Sequence, residues 1–138
     1  MEEASYKIIT YKGNELPDNY KAMIFSKWLR SLRYGNDYFK LINQARYYAA
    51  YHVYVERLLT ESTIRLATLS NDIDVVLGFS VCRGNVLDYV HVQKDYRRIG
   101  VGKSLVPCSE INCITHVTRQ GMSFWNNLMP LAIFDPFR

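Results

Sequence analysis

Two closely spaced glycines stand among basic side chains in the run YRRIGVGKS at residues 96–104. Gly100 and Gly102 leave the backbone free of side chains where a helix is predicted to begin. The first N–H groups of a helix have no partner within it, and together with the helix dipole they attract anions. Arg97, Arg98 and Lys103 add positive charge beside them. The pattern predicts a loop that binds a phosphate-bearing ligand, in particular a pyrophosphate.

The glycine motifs of two other nucleotide-binding loops do not fit this run. A Rossmann loop needs a third glycine within a β-α-β unit, and Ser104 and Leu105 do not supply it. A Walker A loop needs a glycine five residues before its Gly-Lys pair, and that position holds Arg97. The run from Gly102 to Ser104 is therefore a chance partial match, and the loop taken alone leaves the ligand open.

The elements around this loop are predicted from hydrophobic periodicity. Alternating β-branched and aromatic residues predict strands, which cover residues 5–11, 63–69, 75–82, 86–92, 114–118 and 131–134. Apolar residues at spacings of three and four predict helices, which cover residues 17 to about 33, 41 or 43 to 59, 100–113 and 120–128. Pro107 is predicted to kink or shorten the third helix. The order β-α-α-β-β-β-α-β-α-β, with a short-turn meander in its middle, indicates an α+β or mixed α/β class.

Each of the first two helices carries one apolar stripe. In the first helix the stripe consists of Ala22, Phe25, Trp28, Leu29 and Leu32. In the second helix it consists of Tyr47, Tyr48, Tyr51, Tyr54, Val55, Leu58 and Leu59. Two interpretations of the tyrosines stay open: a core-facing stripe whose phenol tips reach water, or an aromatic wall of a substrate cleft.

The composition limits what these elements can form. The chain has 138 residues, 49% hydrophobic and 22% charged, which fits one domain over residues 1–138 and excludes wholesale disorder. No apolar run approaches the ~20 residues of a membrane helix, and the acidic start MEEASYKI differs from a secretory signal. Three cysteines without a CxxC spacing argue against a disulfide scaffold or a metal site, and favour the reducing cytoplasm. The net charge of +4 suits an anionic ligand or partner, or reflects only a soluble surface.

The glycine loop and its flanks resemble a known family motif. The sequence V-x-K-D-Y-R-R-x-G-x-G-K, between a strand and a helix, is similar to the acyl-CoA binding motif of the GCN5-related N-acetyltransferase (GNAT) superfamily. The family pattern is Gln or Arg, two residues, Gly, one residue, and Gly or Ala, and Arg97, Gly100 and Gly102 fill it. The N-terminal part, with its SKWLRSLRYG helix, resembles compact members encoded in phage genomes. The resemblance implies the GNAT-like fold, a central, mostly antiparallel twisted sheet flanked by helices.

The resemblance also implies acetyl-CoA as the cofactor and an amine as the acceptor. The residues that it assigns to the cofactor are Val90, Val92, Arg97, Arg98, Ile99, Gly100, Val101, Gly102, Lys103 and Ser104. The loop N–H groups would bind the pyrophosphate, and the backbone of Val90 and Val92 would pair with the pantetheine. The family transfers the acetyl group directly within a ternary complex, so catalysis consists mainly of positioning and deprotonation of a primary amine.

Catalytic residues are less clear from the family pattern. Members of the family often have a glutamate base near the start of the fourth strand, and this chain has Val86 there. By the alternation of a strand, Asp88 shares the face of Val86 and His91 lies on the opposite face. The imidazole of His91 titrates in the range that a general base needs. Asp88 and His91 are therefore the expected catalytic residues, with a solvated or core-satisfied side chain as the alternative for each. Trp125 stands where the family often has a tyrosine acid, and an indole cannot replace it. His116 is expected to be structural.

Three functional classes follow. The first is an acetyl-CoA-dependent N-acetyltransferase that acts on a protein or small-molecule amine in the cytoplasm, or the host cytoplasm if phage-encoded. The second is a non-catalytic GNAT-fold module that binds CoA or a partner, and the third, last in order, is a nucleic-acid binder. A membrane partner is not expected, and a homodimer stays open.

Overall fold

The fold is built from six strands and four helices within residues 5–97 and 99–138, the part of the chain that the computed structural model describes. The strands are β1 (Tyr6–Lys12), β2 (Thr63–Leu69), β3 (Asp72–Arg83), β4 (Val86–Val92), β5 (Cys113–Ile114) and β6 (Ile133–Phe134). The helices are α1 (Asp18–Tyr34), α2 (Gln44–Thr60), α3 (Val101–Leu105) and α4 (Arg119–Leu128). This order of elements confirms the predicted one.

The strands form one sheet in the order β1-β2-β3-β4-β5-β6. Each of the first four strands is antiparallel to its neighbour, as the short turns of the predicted meander require. The pairs β4–β5 and β5–β6 are parallel, because α3 and α4 return the chain to the same end of the sheet. The mixed, mostly antiparallel sheet is therefore confirmed.

Helix α3 is much shorter than the predicted range of 100–113, and Pro107 explains its length. The residue before a proline is disfavoured in helical conformation, and Val106 is extended with φ −119°. The chain leaves the helix after Leu105, whose carbonyl accepts a hydrogen bond of 2.7 Å from the Ser80 hydroxyl on β3. The prediction that the proline shortens this helix is confirmed, and the predicted end at residue 113 is wrong.

Two apolar clusters cover the two faces of the sheet. Helices α1 and α2 supply one of them, in which Trp28, Tyr47 and Phe79 are almost fully buried. Helices α3 and α4 pack on the other face, around Leu77, Leu105 and Met129. The predicted stripes hold with one exception: Ala22 is exposed, and the buried positions of that turn are Tyr20 and Ile24.

The Tyr47 phenol shows why the α2 stripe belongs to the core. Its hydroxyl donates a 2.6 Å hydrogen bond to the Leu29 carbonyl on α1, so the polar tip is satisfied inside the protein and does not reach water. Tyr48, Tyr51 and Tyr54 are only partly buried and pack against the same cluster. Within the described ranges, no helix is long and apolar enough to cross a membrane.

Candidate functional site

Strands β4 and β5 pair at only two positions and then separate. Val86 lies opposite Cys113 and Leu87 opposite Ile114, and the Thr115 N–H donates one more hydrogen bond to the Leu87 carbonyl at 3.1 Å. Strand β4 continues to Val92, whereas the chain after Thr115 runs towards α4. The separation is why β5 spans two residues and not the predicted 114–118, and it opens a cleft in the middle of the sheet.

A β-bulge lies at the point of separation. Val81 pairs with Tyr89 and the next residue of β3, Cys82, pairs with Leu87, so Asp88 is the extra residue of β4. A bulge interrupts the alternation of side chains between the two faces of a strand. The assignment of Asp88 and His91 to opposite faces by alternation therefore does not carry across the bulge.

The cleft has a volume of about 720 Å³ and is open to solvent. It is lined by the end of β4, the loop before α3, α3 itself, one side of α4 along its whole length, and the end of α1. The end of α1 is joined to the start of α4, since the Arg119 N–H donates to the Gly35 carbonyl and the Arg119 guanidinium donates to the Tyr34 carbonyl, both at 3.0 Å. These bonds close one end of the cleft.

Every second residue at the end of β4 directs its backbone N–H and C=O groups towards this cleft. The Gln93 N–H donates to the Leu77 carbonyl on β3 at 2.8 Å, so residues 91 and 93 direct their backbone groups to β3 and residues 90 and 92 direct theirs to the opposite edge. Consistent with this, the Val92 carbonyl accepts a 2.8 Å hydrogen bond from Arg97 Nε. The backbone groups of Val90 and the N–H of Val92 thus face the opening, while Arg97 already occupies the Val92 carbonyl.

The two glycines of the loop have different structural roles. Gly100 has φ +87°, a conformation that favours glycine, and a Cβ built there would meet nothing within 4 Å. Gly102 has no such backbone requirement, but a Cβ on it would lie 2.9 Å from Phe124 Cε2 on α4. The first glycine shapes the loop and leaves open space in front of it, and the second allows α3 and α4 to approach each other.

The other predicted loop residues divide by the direction of their side chains. Lys103 lines the cleft together with Arg97, whereas the Val101 side chain is buried, so only its backbone is available to a ligand. Ile99 is exposed. The Ser104 hydroxyl lies 2.9 Å from the Tyr6 hydroxyl and donates to the Gly100 carbonyl at 3.0 Å, which fixes α3 to β1 and to the loop. Arg98 lies outside the described residues.

The charge and shape of this region fit a diphosphate ligand. Three cationic side chains line the cleft, those of Arg97, Lys103 and Arg119, and Arg119 is already paired with Asp37. Among the described residues that form the lining, there is no carboxylate. Open space at Gly100 beside Arg97 and Lys103 gives an anion room, N–H donors and uncompensated positive charge.

Asp88 does not reach the cleft. Its carboxylate is fully buried and accepts two hydrogen bonds from Arg83, from Nε to Oδ2 at 2.6 Å and from Nη2 to Oδ1 at 2.8 Å. A third, of 2.8 Å, comes from the Thr115 hydroxyl across the separating strands. The structure therefore does not bring Asp88 together with His91, the other predicted catalytic residue, which lines the cleft.

His91 is a neutral group on the cleft wall. Its ring packs on Phe79, with centroids 5.8 Å apart. Burial lowers the pKa of His91 to about 4, and the positive charges of Arg97 and Lys27 act in the same direction. At neutral pH the imidazole therefore carries a lone pair that can accept a proton or a hydrogen bond.

Sequence reasoning missed three polar groups near the cleft. Tyr34 lines the cleft at the end of α1. The Tyr89 hydroxyl lies 2.5 Å from the Ser31 hydroxyl, and burial raises its pKa. His116 Nδ1 lies 2.9 Å from the Thr115 hydroxyl, beside Asp88. No spacing in the sequence links these residues, because they come from α1, β4 and the segment after β5.

The indole N–H of Trp125 is not available to donate a hydrogen bond to a ligand in the cleft. Its indole N–H donates to the Ala132 carbonyl at 3.1 Å, and its ring packs near Phe134, with centroids 6.4 Å apart. This bond ties α4 to the segment before β6. The tryptophan is thus a structural element at the position where the family often has an acid.

Several solved structures share this architecture. One is a GCN5-related N-acetyltransferase from Rhodopseudomonas palustris, also described as a class-II aminotransferase; it matches with a TM-score of 0.60 and 19% identity, over 91% of this chain and 81% of that chain. A second is the ribosomal-protein-alanine N-acetyltransferase of Brucella melitensis biovar Abortus 2308, with a TM-score of 0.52 and 15% identity, over 97% of this chain and 96% of that chain.

A third is the aminoglycoside acetyltransferase meta-AAC0020 from an uncultured soil metagenomic sample, with a TM-score of 0.52 and 15% identity, over 92% of this chain and 89% of that chain. No protein-family model and no curated protein matches the sequence. At these identities the likeness concerns the fold, and the shared architecture covers nearly all of each chain. The chain therefore has the fold of the GCN5-related N-acetyltransferases.

Proposed function

We propose that this protein is an acetyl-CoA-dependent N-acetyltransferase that moves an acetyl group directly to a primary amine. One observation carries the proposal: the segment around Gly100, through Arg97, Gly102 and Lys103, and the free edge of β4 border the same cleft, where β4 and β5 separate. A diphosphate site and a row of backbone donors and acceptors in one cleft suit a ligand that is anionic at one end and amide-rich along its length.

The residues around the loop would hold the diphosphate of the cofactor. Backbone N–H groups of residues 99–103 and the side chains of Arg97 and Lys103 are the proposed contacts, with Arg98 as a further one from the sequence pattern. The Val90 backbone and the Val92 N–H would hold the pantetheine arm. When bound, the cofactor supplies an activated acyl group as a thioester, and an N–H directed at its acyl oxygen would stabilise developing negative charge.

The acceptor amine must lose a proton before it can attack. His91 is a candidate for accepting it, because it is neutral above a pH of about 4 and lines the cleft. Asp88 has no direct access to the cleft, so we assign it a positioning role in place of the proposed role as a base. The hydroxyl of Tyr34 is a candidate for returning a proton to the leaving thiolate, since it lines the same cleft.

We propose that the chain acts as one domain, since both apolar clusters pack on the same sheet. A cytoplasmic location is proposed because all three cysteines are free thiols.

Titration calorimetry with acetyl-CoA tests the binding half of the proposal. We expect one acetyl-CoA per chain, and no binding to Gly100→Glu, whose carboxylate would fill the open space in front of the loop. The control is Gly84→Glu, at the β3–β4 turn, where the backbone also has a positive φ of 59° and open space. Absence of binding to the unaltered protein at millimolar acetyl-CoA would contradict the proposal.

Release of CoA tests the catalytic half. The acceptors to compare are a peptide with an N-terminal alanine, the aminoglycoside sisomicin and a simple diamine, chosen because two proteins of the same fold are named for such amines. CoA release that depends on one of these amines supports the enzyme. Binding of acetyl-CoA without release, in the panel and in a cell lysate with labelled acetyl-CoA, would instead identify a non-catalytic CoA-binding module.

A further inference from the structure

We propose that His116 receives, through one water molecule, the proton that the acceptor amine loses, and that Thr115 and Asp88 fix its ring for this task. The inference rests on the proposed function and deepens it by naming a positioning residue for the proton. Three features carry it: a chain of hydrogen bonds that sets which ring nitrogen bears the proton, a second ring nitrogen without a hydrogen-bond partner among the described residues, and a small cavity that is lined by His116 and adjoins the cleft.

The hydrogen-bond chain determines the tautomer of His116. The Thr115 hydroxyl lies 2.8 Å from Asp88 Oδ1 and 2.9 Å from His116 Nδ1. A carboxylate only accepts hydrogen bonds, and the two bonds from Arg83 hold Asp88 in this form, so the single hydroxyl proton of Thr115 points to Asp88. The Thr115 oxygen must then accept from Nδ1–H. In the neutral ring the lone pair consequently belongs to Nε2.

The other groups around the His116 ring are aromatic side chains and the charged pair of Asp88 and Arg83. The rings that surround His116, with centroids between 5.7 and 6.5 Å away, are Trp28 from α1, Tyr51 and Tyr54 from α2, and Tyr89 from β4. The charged groups that face it are Asp88 on β4 and Arg83 on β3. Within the described residues, no hydrogen bond is made to Nε2, so this nitrogen is available to a mobile partner.

Burial keeps the ring neutral, and the Asp88 carboxylate compensates part of the cost of a proton on it. The pKa of His116 is lowered to about 4; burial is the main cause and Arg83 acts in the same direction, whereas the Asp88 carboxylate and backbone carbonyl oppose them. At His91, by contrast, the neighbouring charges of Arg97 and Lys27 both oppose a proton. An imidazolium at His116 is thus next to a compensating carboxylate, whereas one at His91 is next to cations, so of these two candidates we assign the proton to His116.

A small cavity lined by His116 lies beside the cleft. It has a volume of about 20 Å³, and it shares Val90, Thr118, Gly121 and Phe124 with the lining of the cleft. A cavity needs about 10–15 Å³ of this kind of space to hold one water molecule. Among the residues that line it, His116 and Val90 can offer polar partners to a water, the imidazole of the first and the backbone groups of the second. One water can therefore bridge the ring and an amine in the cleft.

The proton transfer balances within these groups. The N–H bond of the ammonium group breaks and its proton goes to the water, while a proton of the water goes to Nε2. The amine nitrogen keeps the electron pair that it needs to attack an acyl carbon. His116 then carries protons on both nitrogens, its positive charge is compensated by Asp88 through Thr115, and the extra proton leaves by the same water to solvent.

The first experiment uses the unaltered protein and needs no acceptor. Long-range ¹H–¹⁵N correlation spectra of ¹⁵N-histidine-labelled protein at pH 7 report which nitrogen of His116 is protonated. We expect a protonated Nδ1 and a bare Nε2. Thr115→Ser, which keeps the hydroxyl, should preserve this pattern, and Thr115→Val, which removes it, should change the tautomer balance. A protonated Nε2 in the unaltered protein would overturn the proposal.

The second experiment separates this proposal from the proposed function. Acetyl-CoA affinity is measured by calorimetry for the unaltered protein and for His116→Gln, and the rate of CoA release is measured with the fastest amine of the panel. We expect an affinity within about twofold and a kcat lowered by about 10²-fold, the smaller end of what a proton-transfer group contributes. His52→Gln, on the exposed face of α2, is the matched control with an unchanged rate.

The outcomes are distinct. If the unaltered protein fails to bind acetyl-CoA, the proposed function fails. If it binds and turns over but His116→Gln has the kcat and pH profile of the unaltered protein, the role of His116 is refuted while the function stands. If His116→Gln does not fold, Thr115→Val and Thr115→Ser replace it, and equal kcat values for this pair would count against the proposal.

Discussion

Arg83 and Asp88 form a doubly hydrogen-bonded ion pair between the neighbouring strands β3 and β4, with N–O distances of 2.6 and 2.8 Å. The pair lies at the bulge that begins the separation of β4 from β5, and the Asp88 carboxylate has no exposure to solvent. A buried carboxylate needs such a partner, because the loss of its hydration is otherwise uncompensated. The ion pair therefore stabilises the geometry on which the cleft depends.

Arg83→Met should destabilise the protein strongly, because it leaves Asp88 charged, buried and without a cation. We expect a loss of about 3 kcal/mol in the free energy of unfolding in urea at pH 7. Arg83→Met combined with Asp88→Asn should recover part of this loss. The control is Lys21→Met, which breaks the exposed pair between Lys21 and Glu56 at 3.3 Å and should cost less than about 1 kcal/mol. Similar losses for both single variants would show that Asp88 is not buried as described.

Gly100→Ala and Gly84→Ala form a matched pair, since both glycines have a positive φ and open space around the missing Cβ. Each alanine should lower the free energy of unfolding by about 1–2 kcal/mol through backbone strain. Only Gly100→Ala should weaken acetyl-CoA binding, because only its loop faces the cleft. Thermal unfolding and calorimetry on the same samples measure the two effects. Equal affinities in the two variants would mean that the Gly100 loop does not contact the ligand.

The loop was predictable from sequence because its signal is local. A glycine that must adopt positive φ, flanking cations and a following helix all lie within a few residues of one another. The length of α3 followed partly from Pro107, since a proline restricts the residue before it wherever it stands. The order of strands followed from alternation and short turns, which are also local properties.

His116 was not predictable because its partners are distant in sequence. Asp88 precedes it by 28 positions, and the two meet only because β4 and β5 run parallel for two residues and then separate. The bulge at Asp88 has no sequence signal either, and it ends the alternation from which side-chain directions were derived. The exposure of Ala22 has a similar origin, since the helix rotation that buries Tyr20 and Ile24 depends on packing against the sheet.

The stability of the protein should decrease as the pH falls from about 6.5 to about 4. His91 and His116 have pKa values lowered from 6.5 to about 4 in the folded state, so in this range the unfolded chain binds more protons. Their contribution is complete above pH 6.5 and is lost as the pH falls through 4. Each group adds at most about 1.4 kcal/mol per pH unit to the slope.

Urea unfolding at a series of pH values between 7 and 4 measures this dependence. His91→Gln and His116→Gln should each reduce the slope in that range, and the double variant should reduce it further. His52→Gln, at the remaining histidine of the chain, is the control variant. A slope that neither single variant changes would show that both rings take up their protons in the folded state as easily as in the unfolded chain.

Arg97 should contribute to acetyl-CoA affinity in two ways, as a cation beside the loop and as the donor that fixes the Val92 carbonyl. Arg97→Met removes both, and we expect about a tenfold weaker affinity together with a weaker dependence on salt, since a charge-assisted hydrogen bond is worth about 1.5–3 kcal/mol. Arg97→Lys keeps the charge but cannot reproduce the hydrogen bond that Arg97 Nε donates to the Val92 carbonyl, so its affinity for acetyl-CoA should be intermediate.

Calorimetry at low and high sodium chloride concentration compares these variants with Arg30→Met, which alters an exposed arginine of α1 outside the cleft lining. If Arg97→Met and Arg30→Met bind acetyl-CoA equally well at low salt, the anionic end of the ligand does not lie at the Gly100 loop, because a cation that touches it cannot be removed without effect.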